Sequence, residues 1–254
     1  SYAGGCGALK ILVVLDLPDE AVGQVDAVIS SDDGCEEWAH RNASWAKPYI
    51  AAGTPVFLDK PLSHSAQESD DFVYLAREKN TPMLCCSGIR YTRAVVDQKA
   101  RIADLGDIIA ADGAGPLGWL FFYGVHVIDP LTSLIGTGAQ WVEHLGGETR
   151  HVFVVGYEGG RTVCFRSQQM AYGFLFSLFG SGGVGRFSIL PDDPEFAEEH
   201  FHVRTVKAAI DMFRTGNMSV SYNEQLEVAK ILTYAKASLL NGGKRCLLSD
   251  PPPN

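Results

Sequence analysis

Residues 55–62 read Pro55-Val56-Phe57-Leu58-Asp59-Lys60-Pro61-Leu62. Three apolar residues climb out of a turn, and an acid, a lysine and a proline meet where a short buried strand should end. Such strands normally end in turn residues. This one ends in a titratable amine beside a backbone whose φ the proline ring locks. In an open α/β sheet ligands collect at the carboxyl ends of the strands, which makes Lys60 a candidate site residue. A lone strand-end lysine also fits a solvated loop, so the surrounding chain has to decide.

Upstream, Glu36 to Ala52 reads as a helix with Trp38, Asn42 and Trp45 on one side, and Pro48 predicts a kink or an early stop. Gly53 closes it as a C′ residue. Before it, Val25 to Ile29 is a strand followed by Ser30-Ser31-Asp32-Asp33-Gly34, and Leu9 to Leu15 is another, ending at Asp16. An acid at the end of a second Rossmann strand suits a ribose hydroxyl pair, and equally suits a plain surface. Downstream, Ser65-Ala66-Gln67-Glu68 is a capping box opening a helix with a Phe72, Leu75, Ala76 stripe. Pro82 to Cys86 is a further strand that delivers Ser87-Gly88-Ile89-Arg90-Tyr91 to the rim where Lys60 lies. Strand, helix, strand, helix, strand is the pattern of a parallel sheet. Parallel neighbours need a crossover of about a dozen residues, yet only Leu17 to Gln24 separates the first two strands. Either those two are not neighbours or a segment is missing, and the second is favoured because no glycine-rich phosphate loop precedes them. Gly5-Cys6-Gly7 does not supply one, since Lys10 stands where the third glycine would fall.

Past residue 93 the character changes. Val95 to Leu105 reads as a helix, Asp107 to Ala111 as a strand, Gly113 to Gly118 as a loop, and Trp119 to Ile135 as apolar and helical in its second half. Trp141 to Leu145, Val152 to Tyr157, Thr162 to Arg166, Tyr172 to Phe179 and Val184 to Leu190 form a meander of mostly antiparallel strands. Helices over Glu195 to Arg214 and Glu224 to Leu240 follow. The fold class is therefore α/β: an incomplete N-terminal Rossmann-type parallel sheet over 1–93, then an α+β domain with a mostly antiparallel open sheet over 94–254. An open sheet face predicts a homodimer or homotetramer.

A net charge of −9 disfavours nucleic acid and anionic membranes as partners, and no apolar run reaches the ~18 residues of a membrane span. The six cysteines lack C-x-x-C spacing, so they read as reduced core residues of a cytoplasmic protein, with no metal site. Cys85 and Cys86 should face opposite ways from their strand. In Phe122-Tyr123-Gly124-Val125-His126-Val127-Ile128-Asp129 a helix would bring His126 onto one face with Phe122, Tyr123 and Asp129. A histidine of ordinary pKa near 6.5 is a ready general base, although a helix-start histidine can also be merely structural. The other histidines read as solvated or structural.

The D-K-P-L after a parallel strand, the R-Y at the end of the next and the G-x-H-x-x-D run occur in one order. Together they resemble the glucose-fructose oxidoreductase and inositol dehydrogenase group, Gfo/Idh/MocA. The resemblance covers roughly residues 25–190, and the tail Val220 to Leu248 resembles the family's closing helix and strand. It implies an NAD- or NADP-dependent dehydrogenase acting on a secondary alcohol of a sugar, cyclitol or related polyol. Lys60 falls on the family's E-K-P lysine, with Asp59 in place of glutamate, and His126 on its histidine. Phe122 stands where the family has an aspartate. The resemblance implies Lys60, His126 and Tyr123 as catalytic residues. Arg90, Tyr91 and Asp129 would hold substrate, Asp129 by orienting the imidazole. Asp16, Ser31, Asp32, Asp59, Lys60 and Pro61 would meet the cofactor. Two other readings stay open: an NAD-dependent glycoside-processing enzyme using transient oxidation, and a family member that binds a ligand without turning it over.

Overall fold

The computed structural model describes residues 21–31, 39–116, 118, 120–147, 149–168, 172–193 and 201–251. The expected strand at 9–15, Gly5 to Gly7, Asp16 and Asp32 lie outside these residues. Three parallel strands, β1 (Val28–Ser30), β2 (Val56–Leu58) and β3 (Met83–Leu84), lie side by side in that order. Helices α1 (Ala39–Ala51) and α2 (Ala66–Glu78) connect them. Ala43, Ala46, Tyr49 and Ile50 of α1 join Phe72, Val73 and Ala76 of α2 against Val56 and Leu58. Of the expected face, Trp38 lies outside the described residues and Trp45 is only half-buried, beside the buried Ala43, Ala46, Tyr49 and Ile50. Pro48 does not stop the helix either, which runs on to Ala51 before Gly53 takes φ +80°. Ser65 Oγ caps α2 by accepting from Glu68 N at 3.3 Å.

Because both faces of a parallel sheet are covered, its strands alternate between two apolar clusters. Met83 and Cys85 point to the α1/α2 side. Leu84 and Cys86 point to the other side, with Phe57. The opposed cysteines predicted from the sequence are thus both buried.

After a 3₁₀ turn at Gly88–Tyr91 and helix α3 (Arg93–Ala100), the chain enters β4 (Ile108–Pro116). The expected loop from Gly113 is instead the continuation of this inner strand. Its glycines exist because helix α4 (Val125–Ile135) lies directly on them: a Cβ on Gly113 would sit 2.5 Å from Val127 Cγ1. One π-helical turn, Leu120–Gly124, leads into α4. The strands β5 (Ala139–Gly147), β6 (Arg150–Tyr157), β7 (Thr162–Gln168), β8 (Phe174–Gly180) and β9 (Val184–Ile189) follow, then α5 (Phe201–Thr215), α6 (Tyr222–Leu240) and β10 (Cys246–Leu247). The second sheet has the order β10-β5-β6-β7-β4-β8-β9. It is mostly antiparallel, but not a pure meander, because β4 inserts beside β7 in parallel register, Gly113 opposite Phe165.

Helix α5 covers the second face of the parallel sheet through Ala209 and Met212. Helix α6 bridges the two cores, with Ala229 in the first and Val228, Ile231 and Leu232 in the second. Its Gln225 takes the place of a fourth strand: Oε1 accepts from Cys85 N at 2.8 Å and Nε2 donates to Met83 O at 3.1 Å.

Gly113→Val should force α4 off β4 and lower stability by about 1–3 kcal/mol, the usual cost of overpacking. Urea unfolding checks this, and an unchanged midpoint with an unchanged m-value would contradict the α4–β4 contact.

Candidate active site

The carboxyl ends of all three parallel strands open into one cleft of ≈ 550 Å³. The strand ends contribute Ser31, Asp59 and Lys60, the π turn and α4 contribute Phe122, Tyr123 and His126, and α5 closes the far side with Phe201 and His202. Lys60, Tyr123 and His126, which the family resemblance implies as catalytic residues, all line this cleft, although they come from separate parts of the fold. His202, which reads from the sequence as solvated or structural, lines the cleft too, as do Phe57, Tyr172 and Thr205, which carry no site signal in the sequence. No local pattern marks His202 and Thr205, since their place in the cleft arises only when α5 folds back over the strand ends.

Lys60 leaves β2 into this cleft and is 9% exposed. Its Nζ sits 3.8 Å from the centroid of the Phe122 ring. Where the resembled family has a carboxylate, this lysine therefore rests on a π face, which favours a cation electrostatically without fixing it as an ion pair would. Burial pushes the Lys60 amine down from its ordinary value, with the charge of Asp59 opposing. Burial also pushes the Asp59 carboxyl up, against the pull of the Lys60 charge and the Lys60 backbone N–H. Both neighbours are thus drawn toward their neutral forms. Pro61 lies beneath, lining a small void with Leu62 and Gln225, and the Lys60–Pro61 peptide is cis.

His126 Nδ1 lies 2.7 Å from Ser87 Oγ. The imidazole is ringed by Phe122, Tyr123 and Phe174, with centroids at 6.4, 6.5 and 6.0 Å. Burial in this aromatic box, then the charges of Lys60 and His202, push its pKa down to about 3. The ring is neutral at physiological pH.

Three expected substrate residues do not reach the cleft. Arg90 is buried and its guanidinium is closed onto Asp129, Nε to Oδ2 at 2.8 Å and Nη2 to Oδ1 at 3.0 Å, with Glu224 at 3.5 Å from Nη1. The fork suited to an anionic substrate is thus satisfied inside the protein. Burial alone would lower the Arg90 pKa, but the Asp129 charge outweighs it and keeps the guanidinium firmly charged. Asp129 does not orient the imidazole; its Oδ2 accepts from Arg90 and from Ser87 N at 3.1 Å. Tyr91 turns away as well, bonding Ser219 Oγ at 2.7 Å while its carbonyl accepts from Arg204 at 3.0 Å. The residue that does hold His126, Ser87, was overlooked. Its only sequence signal was its place as the first polar residue after a buried strand. Among the described residues no group of three or more histidines, cysteines or carboxylates could hold a metal.

Removing one partner of a buried ion pair strands the other. Asp129→Ala should therefore cost about 3–5 kcal/mol of stability by urea unfolding, and a loss below about 1 kcal/mol would show that Arg90 is adequately held by Glu224 alone.

No family model and no curated protein sequence matches the chain. Solved structures do. Scyllo-inositol dehydrogenase from Lactobacillus casei, with bound NAD(H) and scyllo-inositol, superposes with a TM-score of 0.76 at 14% identity, covering 92% of this chain and 84% of its own. GenD2 from gentamicin A biosynthesis, in complex with NAD, gives 0.78 at 16% identity over 95% and 83%. A probable dehydrogenase from Thermotoga maritima gives 0.75 at 16% over 92% and 84%. At such identities the likeness is one of architecture, and the chain has the fold of these dehydrogenases: a Rossmann-type parallel sheet joined to an open, mostly antiparallel one.

Proposed function

We propose that this chain is a member of the Gfo/Idh/MocA group and an NAD- or NADP-dependent oxidoreductase that interconverts a secondary alcohol of a sugar, cyclitol or related polyol with its ketone. The observation that carries the reading is the convergence of Lys60, His126 and Tyr123 on one cleft at the carboxyl ends of parallel strands. Two of the structural neighbours hold NAD or NAD(H), and one also holds scyllo-inositol.

The residues present fit the reactive half of a nicotinamide cofactor. Ile29 and Phe57 give the cleft an apolar wall beside Ser31, Asp59 and Lys60, and these residues would hold the flat, weakly polar nicotinamide ring. Bound there, a nicotinamide cofactor would supply hydride transfer to and from the substrate carbon. The protein's part is electrostatic. Lys60 and His126 share the work at the substrate oxygen, one steadying it with a hydrogen bond and the other exchanging its proton. Tyr123 offers a hydroxyl to a neighbouring substrate oxygen, and the aromatic walls exclude water. Phe122 leaves the cleft one carboxylate short for a polyol, which is the observation favouring a member that binds without turnover.

The face of the second sheet away from α4 and α6 presents Leu145, Leu175, Phe179 and Val184, all exposed. We assign it to a homodimer or homotetramer.

A panel of sugars and cyclitols with NAD⁺ or NADP⁺ should show net cofactor reduction. Lys60→Met and His126→Gln should each lower kcat/KM by about 10²-fold. Glycoside cleavage without net redox would replace the dehydrogenase reading. A cofactor-induced rise in melting temperature with no turnover on any substrate would leave the binding reading. Light scattering should give at least twice the chain's mass, and a monomer would remove the assignment of the open sheet face.

A further inference from the structure

We infer that Ser87 is a positioning residue that fixes the tautomer of His126, so that the imidazole presents an N–H, and not a lone pair, to a substrate oxygen in the cleft. The geometry stands by itself; its consequence for catalysis rests on the redox reading above.

Ser87 is fully buried. Its hydroxyl brings one donor and two acceptor sites. One acceptor site is taken by Ile89 N–H, at 3.1 Å, where Ser87 caps the 3₁₀ turn. Among the described residues the other partner of Oγ is His126 Nδ1, at 2.7 Å. Were Nδ1 protonated, Oγ would accept twice and its own buried hydrogen would lack an acceptor, an arrangement that proteins avoid. With a lone pair on Nδ1, the hydroxyl donates to the ring and accepts from Ile89, and every group is satisfied. The imidazole proton then sits on Nε2, the ring nitrogen not engaged by Ser87, and the ring itself lines the cleft.

The Ser87 backbone is anchored, and its Oγ is held between Ile89 N and His126 Nδ1. Its backbone N–H is tied to Asp129 Oδ2, which Arg90 grips. His126 and Asp129 are three residues apart on α4, so one helix holds both the ring and the carboxylate that anchors the ring's partner. The constraint closes on itself. A neutral imidazole that already offers Nε2–H serves as a hydrogen-bond donor to a ketone or alkoxide oxygen, and as a poor base. The proton of a substrate hydroxyl is then left to Lys60. Its amine form takes that proton as the alcohol is oxidised, and its ammonium returns one to the oxygen in the reverse direction.

¹⁵N NMR of histidine-labelled protein at neutral pH tests this without any substrate, the His126 signals being identified by their loss in His126→Gln. The expected spectrum has a protonated Nε2 and an unprotonated Nδ1. Ser87→Ala should move both nitrogens toward an averaged tautomer. A protonated Nδ1 in the wild type, or unchanged His126 nitrogens in Ser87→Ala, overturns the inference, and the wild-type spectrum decides even if a variant fails to fold. With a turned-over substrate, Ser87→Ala should lower kcat by about 10²-fold, the loss expected of a misplaced catalytic group, leave KM little changed, and be rescued by Ser87→Thr. An equal loss in Ser87→Thr would make the hydroxyl irrelevant and overturn the role. If no substrate is turned over while the tautomer is as stated, the redox reading fails and the Ser87 constraint survives.

Discussion

The Arg90–Asp129 pair is the contact on which the candidate site depends. Taking two charges out of water costs several kcal/mol per ion even after relaxation, and attraction offsets this only when the geometry is good and the remaining donors and acceptors are used. Here they are used. Arg90 makes two side-on contacts to the carboxylate and a third to the Asp129 carbonyl, and Asp129 accepts in addition from Ser87 N. Glu224, whose other oxygen caps α6 through Ser221, braces the far side of the guanidinium. Three segments distant in sequence, the 3₁₀ turn after β3, α4 and the start of α6, are thereby fixed to one another. What they hold between them is the Ser87–His126 contact.

The second organising feature is a substitution of forces at Lys60. A carboxylate facing this ammonium would hold it charged and turned toward itself. Phe122 instead supplies a ring face, worth about 0.5–2 kcal/mol, which attracts the cation but takes none of its N–H donors. Burial simultaneously lowers the cost of losing the charge. Among the described residues the Lys60 amine faces a ring and not a hydrogen-bond acceptor, beside a histidine that burial among the same aromatic residues keeps neutral.

Much of this was legible in the chain, and the reasons are local. A strand-end lysine next to proline, two adjacent cysteines in an apolar run and a glycine at a helix end each carry their geometry in a few residues. Lys60, the opposed Cys85 and Cys86, and Gly53 came out accordingly. Errors arose where the deciding neighbour was remote. Gly113 reads as a loop until Val127 is laid on it, and then glycine is what lets a central strand touch a helix. Helical spacing placed Asp129 on a face near His126, yet a spacing rule cannot say that Arg90, 39 positions earlier, will claim the carboxylate. For the same reason Arg90 looked like a substrate fork. Ser87 was invisible because a serine after a strand is ordinary until its hydroxyl is counted against its partners.

That count also explains why the two parts of the chain must act as one. The parallel sheet ends at β3, whose free edge is closed by the Gln225 amide and by Tyr222, whose hydroxyl donates to Thr81 O at 2.6 Å. Both belong to α6, which follows the open sheet in sequence and packs into its core through Ile231 and Leu232. A shift of the second sheet would therefore drag the edge of β3, the 3₁₀ turn after it and Ser87 with it. Because α4 rides on β4 of that same sheet, His126 would move in step, keeping its distance from Ser87. Lys60 is tied to the same frame, because β2 is hydrogen-bonded to β3 along the parallel sheet, Val56 opposite Met83 and Phe57 opposite Leu84. The Ser87–His126 hydrogen bond and the lysine that faces the imidazole are thus held by one continuous set of contacts running from β2 through β3 and α6 to α4.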